Sequence, residues 1–124
     1  MKPKSVSSLK KKLDKVFSIW IRQRGMNWKE ENVCFTCGKR EHHRLLQAGH
    51  FVTRGDNNLR YDEENVNIQC VACNIFKRGN MVLYAIKMEE KYGKGIIKKL
   101  WKRSQKPKHW KIKDLESLIE KYEG

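Results

Sequence analysis

Four cysteines in two closely spaced pairs are the first residues of this chain whose spacing indicates chemistry. Cys34 and Cys37 form one Cys-x-x-Cys pair, Cys70 and Cys73 form the other, and 32 residues separate the two pairs. Four thiolates suit a closed tetrahedral Zn²⁺ site, which stabilises a fold without taking part in catalysis. Two disulfides and a thioredoxin-like redox pair are the alternatives. Two such pairs favour structural zinc in a reducing compartment.

Three polar residues near the second cysteine pair have side chains that suit hydrolysis of a phosphodiester. His50 and Asn65 lie between the pairs, and Asn74 directly follows Cys73. Histidine, whose pKa is near neutral, is the natural general base for an attacking water. We expect Asn65 to orient the His50 ring by a hydrogen bond, and Asn74 to offer its amide oxygen to Mg²⁺ or Mn²⁺. Their ordinary interpretations are a strand-end histidine, a turn residue and a helix cap.

The charge of the chain favours a polyanionic partner. Its 124 residues include 28 Lys and Arg against 14 Asp and Glu, which gives a formal net charge of +14. Phosphate backbones attract such a chain first and anionic membranes second. We expect Arg54 to hold the scissile phosphate, and Lys77 and Arg78 to contact the DNA backbone. The alternative for each is a solvated surface cation.

A second basic region lies near the end of the sequence. The segment 94–113 carries nine Lys and Arg residues and no acidic residue. Such a run binds phosphates and adds affinity rather than sequence choice. Its tryptophans, Trp101 and Trp110, are interpreted as core residues rather than as stacking platforms for bases.

An amphipathic helix is expected to precede the first cysteine pair. Apolar residues recur at three- and four-residue steps between residues 6 and 21, with lysines between them, which predicts a basic helix over 6–24. Ser7 or Ser8 is expected to cap this helix, and Gly25 to end it.

The segment 27–44 is polar and contains the first pair, with Gly38 at its tight turn. His42 and His43 within it are interpreted as surface residues. The apolar run 45–52 predicts a strand, and 59–62 a second, short strand. Because 32 residues are too many for a bare loop in a small domain, the two strands are expected to form a hairpin between the cysteine pairs.

Helices are expected after the second cysteine pair. One covers residues 80–92, capped by Asn80 and ended by Gly93. A short helix is predicted over 94–104, and Pro107 separates it from a last helix over 114–122.

These elements predict a single α+β domain over residues 1–124. It would consist of the basic helix 6–24, a zinc-stapled core over 34–92 and a basic helical extension over 94–124. No apolar run approaches the roughly 18–20 residues that span a bilayer. The start of the sequence lacks the apolar core of a signal peptide, so we expect a cytoplasmic protein with no membrane partner.

The core motifs resemble those of the HNH, or ββα-metal, nucleases. They are Cys-Phe-Thr-Cys-Gly, Ala-Gly-His-Phe around His50, Glu-Asn-Val-Asn-Ile-Gln-Cys and Cys-Asn-Ile-Phe-Lys. In that superfamily a histidine ends the first strand, an asparagine lies in the loop and a His or Asn opens the helix. The resemblance implies a ββα-metal core with His50 as general base, Asn65 as its partner and Asn74 on a catalytic Mg²⁺ or Mn²⁺.

A narrower resemblance is to the NinG (Rap) recombination endonucleases of lambdoid phages. It is carried by Leu-Gln-Ala-Gly-His-Phe, Leu-Arg-Tyr, Glu-Asn-Val-Asn-Ile-Gln-Cys-Val-Ala-Cys-Asn and Lys-Arg-Gly-Asn, and extends over about residues 6–122. It implies a phage- or prophage-encoded, metal-dependent endonuclease for branched DNA such as Holliday junctions, D-loops and flaps. It also implies activity in the cytoplasm of a bacterial host.

The sequence departs from the family pattern at the expected metal ligands. Many HNH enzymes have an aspartate immediately before the base histidine, where this chain has Gly49. The NinG pattern has an aspartate three residues before it, where this chain has Gln47. The acidic residues close enough in sequence to substitute are Asp56, Asp62, Glu63 and Glu64.

Two other functions are compatible with the same residues. One is a zinc-stapled DNA-binding protein that does not cleave, and the other is a site-specific HNH nicking endonuclease.

Junction resolution needs two coordinated cuts, which raises the hypothesis of a homodimer. The apolar stripe between residues 6 and 21 and the last helix are the candidate interfaces, unless both are intramolecular core.

Overall fold

The computed structural model describes residues 4–53 and 58–124, and in them four α-helices and two small antiparallel sheets. The elements in chain order are α1 (Val6–Gln23), β1 (Glu31–Val33), β2 (Arg40–His42), a 3-10 turn (His43–Leu45), β3 (Leu46–His50), β4 (Val66–Cys70), a π-helical turn (Ala72–Phe76), α2 (Met81–Tyr92), α3 (Ile96–Ser104) and α4 (Ile112–Glu123). Strand β1 pairs with β2, and β3 pairs with β4. The predicted α+β class is confirmed.

Helix α1 forms where the apolar periodicity predicts it. Ser5 caps the helix and shares a reciprocal capping box with Ser8, so the cap lies before the predicted Ser7 or Ser8. The chain leaves the helix at Gly25, whose φ of +77° suits a residue without a Cβ. One face is buried, through Leu9, Leu13, Phe17 and Ile21.

Helix α4 covers the buried face of α1. The ring centroids of Phe17 and Tyr122 lie 4.9 Å apart, and those of Trp20 and Tyr122 also lie 4.9 Å apart. Trp110 packs against Tyr61 at 5.4 Å, as the core interpretation predicted, whereas Trp101 is 59% exposed. The two apolar stripes considered for a dimer therefore pack against each other within one chain.

The hairpin between the cysteine pairs uses a different second strand from the predicted one. Strand β3 pairs with β4 in the register His50↔Val66 and Leu46↔Cys70, whereas residues 59–62 form a turn. The prediction was wrong because β4 carries Asn67 and Gln69 between apolar residues, yet it is buried along its whole length. Packing partners bond to both amides. Tyr92, for example, donates to Asn67 Oδ1 at 3.1 Å, although Gln69 Oε1 has no partner among the described residues.

The first cysteine pair lies in the turn of the β1–β2 hairpin, which the sequence analysis treated as irregular polar chain. Gly38 has a φ of +81° in this turn, as predicted. His43 follows β2 and is only 7% exposed, so its interpretation as a surface residue was wrong.

Helices α2 and α3 enclose a second group of buried side chains: Leu59, Tyr84, Met88, Ile96 and Leu100. Gly93 ends α2, as predicted. Asn80 precedes α2 but makes no side-chain cap; its amide nitrogen lies 3.6 Å from Cys73 Sγ. Among the described residues, no helix is both long and apolar enough to cross a bilayer.

Candidate active site and metal centre

The four cysteines come together at one point where both hairpins end. Cys34 and Cys37 lie at the β1–β2 turn, Cys70 ends β4, and Cys73 lies in the π-helical turn. All four sulfurs lie within 4.8 Å of one another, and none is in a disulfide. Zn–S bonds of about 2.3 Å at the tetrahedral angle place neighbouring sulfurs about 3.8 Å apart. The Cys37–Cys70 Sγ separation of 3.7 Å fits that geometry.

Burial and hydrogen bonds act in opposite directions on the cysteine sulfurs, and burial raises the pKa of both Cys37 and Cys70. The backbone N–H of Cys37 points at Cys34 Sγ, and that of Cys73 points at Cys70 Sγ, each at 3.5 Å. Burial raises the pKa of the Cys34 thiol, but hydrogen bonds from Thr36 and nearby backbone N–H groups outweigh it and lower this pKa to about 6. A thiolate is the form that binds metal. The donor set therefore fits zinc.

A cleft of about 560 Å³ brings together the residues that the sequence analysis singled out for hydrolysis. His50 from β3, Asn74 from the π-helical turn and Arg78 from the following turn all line it. Helix α1 forms another wall, through Asp14, Phe17 and Ser18. Strand β4 pairs with β3, which carries His50, and leads directly into the second cysteine pair, which precedes Asn74. The strand pairing and the convergence of the cysteines together place His50 and Asn74 at the same cleft.

The His50 ring is held by a backbone carbonyl. Its Nε2 lies 2.9 Å from the carbonyl oxygen of Arg60. A carbonyl oxygen only accepts hydrogen bonds, so Nε2 carries the proton of the neutral ring and Nδ1 is the basic nitrogen. This arrangement also stabilises the imidazolium that forms when Nδ1 takes up a proton.

Asn65 does not bond to the His50 ring, in contrast to the prediction. It is fully buried, and its amide nitrogen donates to the carbonyl oxygens of Val52 and Leu59, both at 3.0 Å. Its Oδ1 accepts from the Val52 N–H at 2.8 Å. Asn65 thus ties the end of β3 to the turn that carries Arg60, and it acts on His50 only through that turn.

Asn74 lies in the π-helical turn rather than at the start of α2. Single π-helical turns occur frequently at functional sites. The Asn74 amide nitrogen donates to Gln47 Oε1 at 2.8 Å, which fixes the orientation of the amide. Within the described residues, no hydrogen bond reaches Asn74 Oδ1. Gln47, a departure from the family pattern, therefore orients the oxygen expected to bind a cation.

Gly49 leaves space for a buried side chain of β4. A Cβ at this position would overlap Oε1 of Gln69, so the aspartate that many HNH enzymes have here would require the Gln69 side chain to move. Gln69 Nε2 donates to the carbonyl oxygen of Gly79 at 2.8 Å, and such a movement would disturb this bond. Packing between β3 and β4 thus disfavours a carboxylate immediately before His50.

Asp14 on α1 is the carboxylate that lines the cleft among the described residues, and the sequence analysis missed it. It accepts hydrogen bonds from Arg60 Nε and from the Tyr61 hydroxyl, both at 2.9 Å. Its signal was a single acidic residue within the lysine-rich face of α1. A contact this distant in sequence is not visible until α1 packs on the hairpin.

The acidic residues nominated from the sequence lie elsewhere. Asp62 and Glu64 both pair with Arg103, at 2.9 and 2.7 Å. Glu63 accepts a hydrogen bond from Tyr122 at 2.7 Å. These three line a separate cavity against α3 and α4, and Asp56 lies outside the described residues.

The structure describes two of the three residues that were predicted to bind phosphates. Arg78 lines the cleft, and Lys77 beside it is exposed. Arg54 lies outside the described residues. Lysines of α1 and α3 are exposed on the faces opposite their buried stripes, so each helix presents a cationic surface.

A second cluster of possible metal ligands includes the buried His43, whose Nδ1 has no hydrogen-bond partner among the described residues. Glu30, His42 and His43 have donor atoms within 4.8 Å of one another. His42 Nδ1 accepts from the Arg44 N–H at 3.2 Å, which places its proton on Nε2, 3.4 Å from the Glu30 carboxylate. Burial lowers the pKa of His43. These contacts join the open ends of β1 and β2.

A family model described as the bacteriophage lambda NinG protein matches residues 1–124. The chain belongs to the NinG family. Among curated NinG proteins, that of Escherichia phage 933W is 30% identical over 92 residues, which cover 73% of this chain and 44% of the relative. The Salmonella phage P22 protein is 30% identical over 91 residues, and the Escherichia phage lambda protein is 29% identical over 92, with the same shares covered.

This NinG-family chain therefore spans less than half the length of the curated relatives it matches. No solved structure matches the chain. The resemblance to NinG proteins that the core motifs carried is confirmed.

Proposed function

We propose that this chain is a metal-dependent DNA endonuclease of the HNH type that acts on branched recombination intermediates. His50 is the general base, and it activates a water through Nδ1 for attack on a phosphodiester. Holliday junctions, D-loops and flaps are the substrate class that the family resemblance implies. The reaction takes place in the cytoplasm of a bacterial host.

The observation that supports this proposal most strongly is the meeting of His50 and Asn74 at one cleft. A neutral histidine that donates through Nε2 has its basic lone pair on Nδ1, which is the nitrogen that acts in general-base chemistry. The carbonyl of Arg60 keeps the ring in that tautomer. Arg78 lines the same cleft, and its guanidinium is suited to a phosphate oxygen.

The oxygen donors of the cleft fit a hard divalent cation. Asn74 contributes an oriented amide oxygen. Asp14 contributes a carboxylate whose two oxygens accept from the Arg60 guanidinium, so a cation would share this carboxylate with Arg60. Amide and carboxylate oxygens are the donor types that Mg²⁺ and Mn²⁺ prefer. When bound, such an ion supplies charge neutralisation at the phosphate and at the leaving oxygen. We assign Zn²⁺ to the four cysteines, where it holds both hairpins together and takes no part in the reaction.

The remaining basic residues bind the DNA backbone. Lys77 and the cationic faces of α1 and α3 contact phosphates and add affinity without reading sequence, and Arg54 holds the scissile phosphate. Cutting a junction on two strands requires two sites, so we propose a homodimer on junction DNA. Light scattering that gives a monomer mass on a junction would overturn this part.

The decisive experiment is a substrate panel of labelled junction, flap, D-loop and linear duplex, each with Mg²⁺, Mn²⁺ or no added divalent ion. We expect nicking of branched DNA that requires the added ion. Binding without nicking in every metal would instead indicate a non-catalytic DNA-binding protein. Cleavage of linear duplex at one sequence, with no preference for branches, would indicate a site-specific nicking enzyme.

A further inference from the structure

Phe76 presents an exposed aromatic ring on the turn that forms one wall of the cleft. The residue is 80% exposed and is the last residue of the π-helical turn. Ile75 immediately before it and Arg78 two positions after it both line the cleft. Removing an exposed apolar ring from water lowers the free energy, so contact of a partner with this ring is favourable.

The backbone that carries Phe76 is firmly held. The N–H of Lys77 donates to Ala72 O at 2.9 Å, and that of Arg78 to Ile75 O at 3.1 Å. The N–H of Gly79 donates to Cys73 O at 2.8 Å, which connects the turn to the cysteine centre. A ring on such a support loses little conformational entropy when it binds a partner.

The charges beside Phe76 identify the kind of partner. Lys77 is the next residue in sequence and is exposed, and Arg78 follows it. Cations that bind phosphates, next to an aromatic ring that stacks on a base, are the combination that binds unpaired nucleic acid. A continuous duplex keeps its base faces inside the stack, whereas a flap or a D-loop carries unpaired bases.

We propose that Phe76 stacks on an unpaired nucleobase beside the cleft, with Lys77 on the adjoining phosphate. This inference rests on the proposed action on branched DNA, and it names the feature that distinguishes a branch from a linear duplex. The ligand class is an unpaired nucleotide of DNA.

The test measures binding separately from cleavage, with Ca²⁺ in place of Mg²⁺. Full-length protein is titrated with a flap substrate and with a blunt duplex of equal length. We expect Phe76→Ala to weaken flap binding by at least about fivefold, the scale of one lost base–aromatic contact, and to leave duplex binding unchanged. Phe76→Trp should retain the preference, and Phe76→Leu, which is apolar but not aromatic, should lose it.

An abasic nucleotide provides the matched change in the DNA. An abasic unit at the unpaired position should weaken wild-type binding by the same factor as Phe76→Ala, and should have no further effect on that variant. Lys77→Ala is the control for charge, and it should weaken flap and duplex binding equally. Circular dichroism of each variant checks the fold.

Several results would overturn the stacking proposal. They are full flap preference in Phe76→Leu, equal loss on both DNAs in Phe76→Ala, and additive effects of the variant and the abasic unit. A doubled mass without DNA that Phe76→Ala returns to monomer would assign the ring to a second copy instead. A flap preference that depends on Phe76, without nicking in Mg²⁺ or Mn²⁺, would support the stacking site and contradict the proposed nuclease activity.

Discussion

His50 Nε2 lies 2.9 Å from the backbone carbonyl oxygen of Arg60, so a backbone turn contributes to the orientation of this imidazole. Asn65 donates to the neighbouring carbonyl, that of Leu59, at 3.0 Å. The same amide holds both the N–H and the carbonyl of Val52, just after β3. One buried side chain therefore fixes the two segments between which the His50 ring lies.

Replacement of His50 by alanine tests its role as general base. We expect His50→Ala to reduce cleavage by about 10²-fold or more while DNA affinity and melting temperature stay near wild type, because the half-buried ring contributes little packing. Single-turnover rates on labelled flap DNA measure the effect. His42→Gln, at a histidine outside the cleft, is the matched control. Wild-type-like turnover in His50→Ala would show that another group activates the water.

Replacement of Asn65 by alanine tests the turn that positions His50. Asn65→Ala leaves two carbonyls and one N–H without their partner, so we expect a loss of stability of about 1–3 kcal/mol. We also expect a lower kcat with little change in KM, together with a mixed His50 tautomer in ¹⁵N NMR spectra. A purely structural role would lower the melting temperature but keep the Nε2–H tautomer and the kcat of the folded fraction.

Removal of one cysteine tests the metal centre. We expect Cys70→Ser to lose zinc and to unfold or melt at a much lower temperature, because the free energy of binding structural zinc is folding free energy. Zinc content and thermal unfolding by circular dichroism are the measurements. Val71→Ser, which introduces the same side chain at the next, partly exposed position, is the control. A metal-free Cys70→Ser protein that melts like wild type would contradict the role of the cysteines.

Replacement of Asp14 tests whether α1 supplies part of the active cleft. We expect Asp14→Asn to raise the Mn²⁺ concentration needed for half-maximal cleavage, because an amide binds a hard cation more weakly than a carboxylate. Glu64→Gln, which breaks an ion pair with Arg103 outside the cleft, is the control and should keep the metal dependence of wild type. An unchanged metal requirement in Asp14→Asn would show that Asp14 does not bind the cation and that its role is to pair with Arg60.

Local patterns of the sequence were sufficient for much of the fold. The three- and four-residue apolar steps of α1, the glycine after it and the glycine that ends α2 are properties of neighbouring residues, and the structure has them where they were expected. The spacing of Cys34, Cys37, Cys70 and Cys73 likewise indicated a shared metal centre. Residues close in sequence impose these features through backbone geometry and side-chain periodicity.

The strand that pairs with β3 could not be identified in this way. Strand β4 has polar amides at alternate positions, a pattern typical of a half-exposed strand, yet Asn67 and Gln69 are both buried. Their burial is tolerated because later parts of the chain bond to both amides: Tyr92 donates to Asn67 Oδ1, and Gln69 Nε2 donates to the Gly79 carbonyl. Gln69 Oε1 has no hydrogen-bond partner among the described residues. Such compensation depends on packing between distant segments.

The chemistry of the cleft is divided in the same way. Residue types, spacing and the resemblance to HNH and NinG nucleases together nominated His50 and Asn74, and the basic pair Lys77 and Arg78 was nominated for the DNA backbone. Only the tertiary structure decided that Asp14 joins them and that Asn65 acts through the Arg60 turn. These contacts depend on how α1 packs against the hairpin, and many weak apolar contacts along its whole buried face determine that packing.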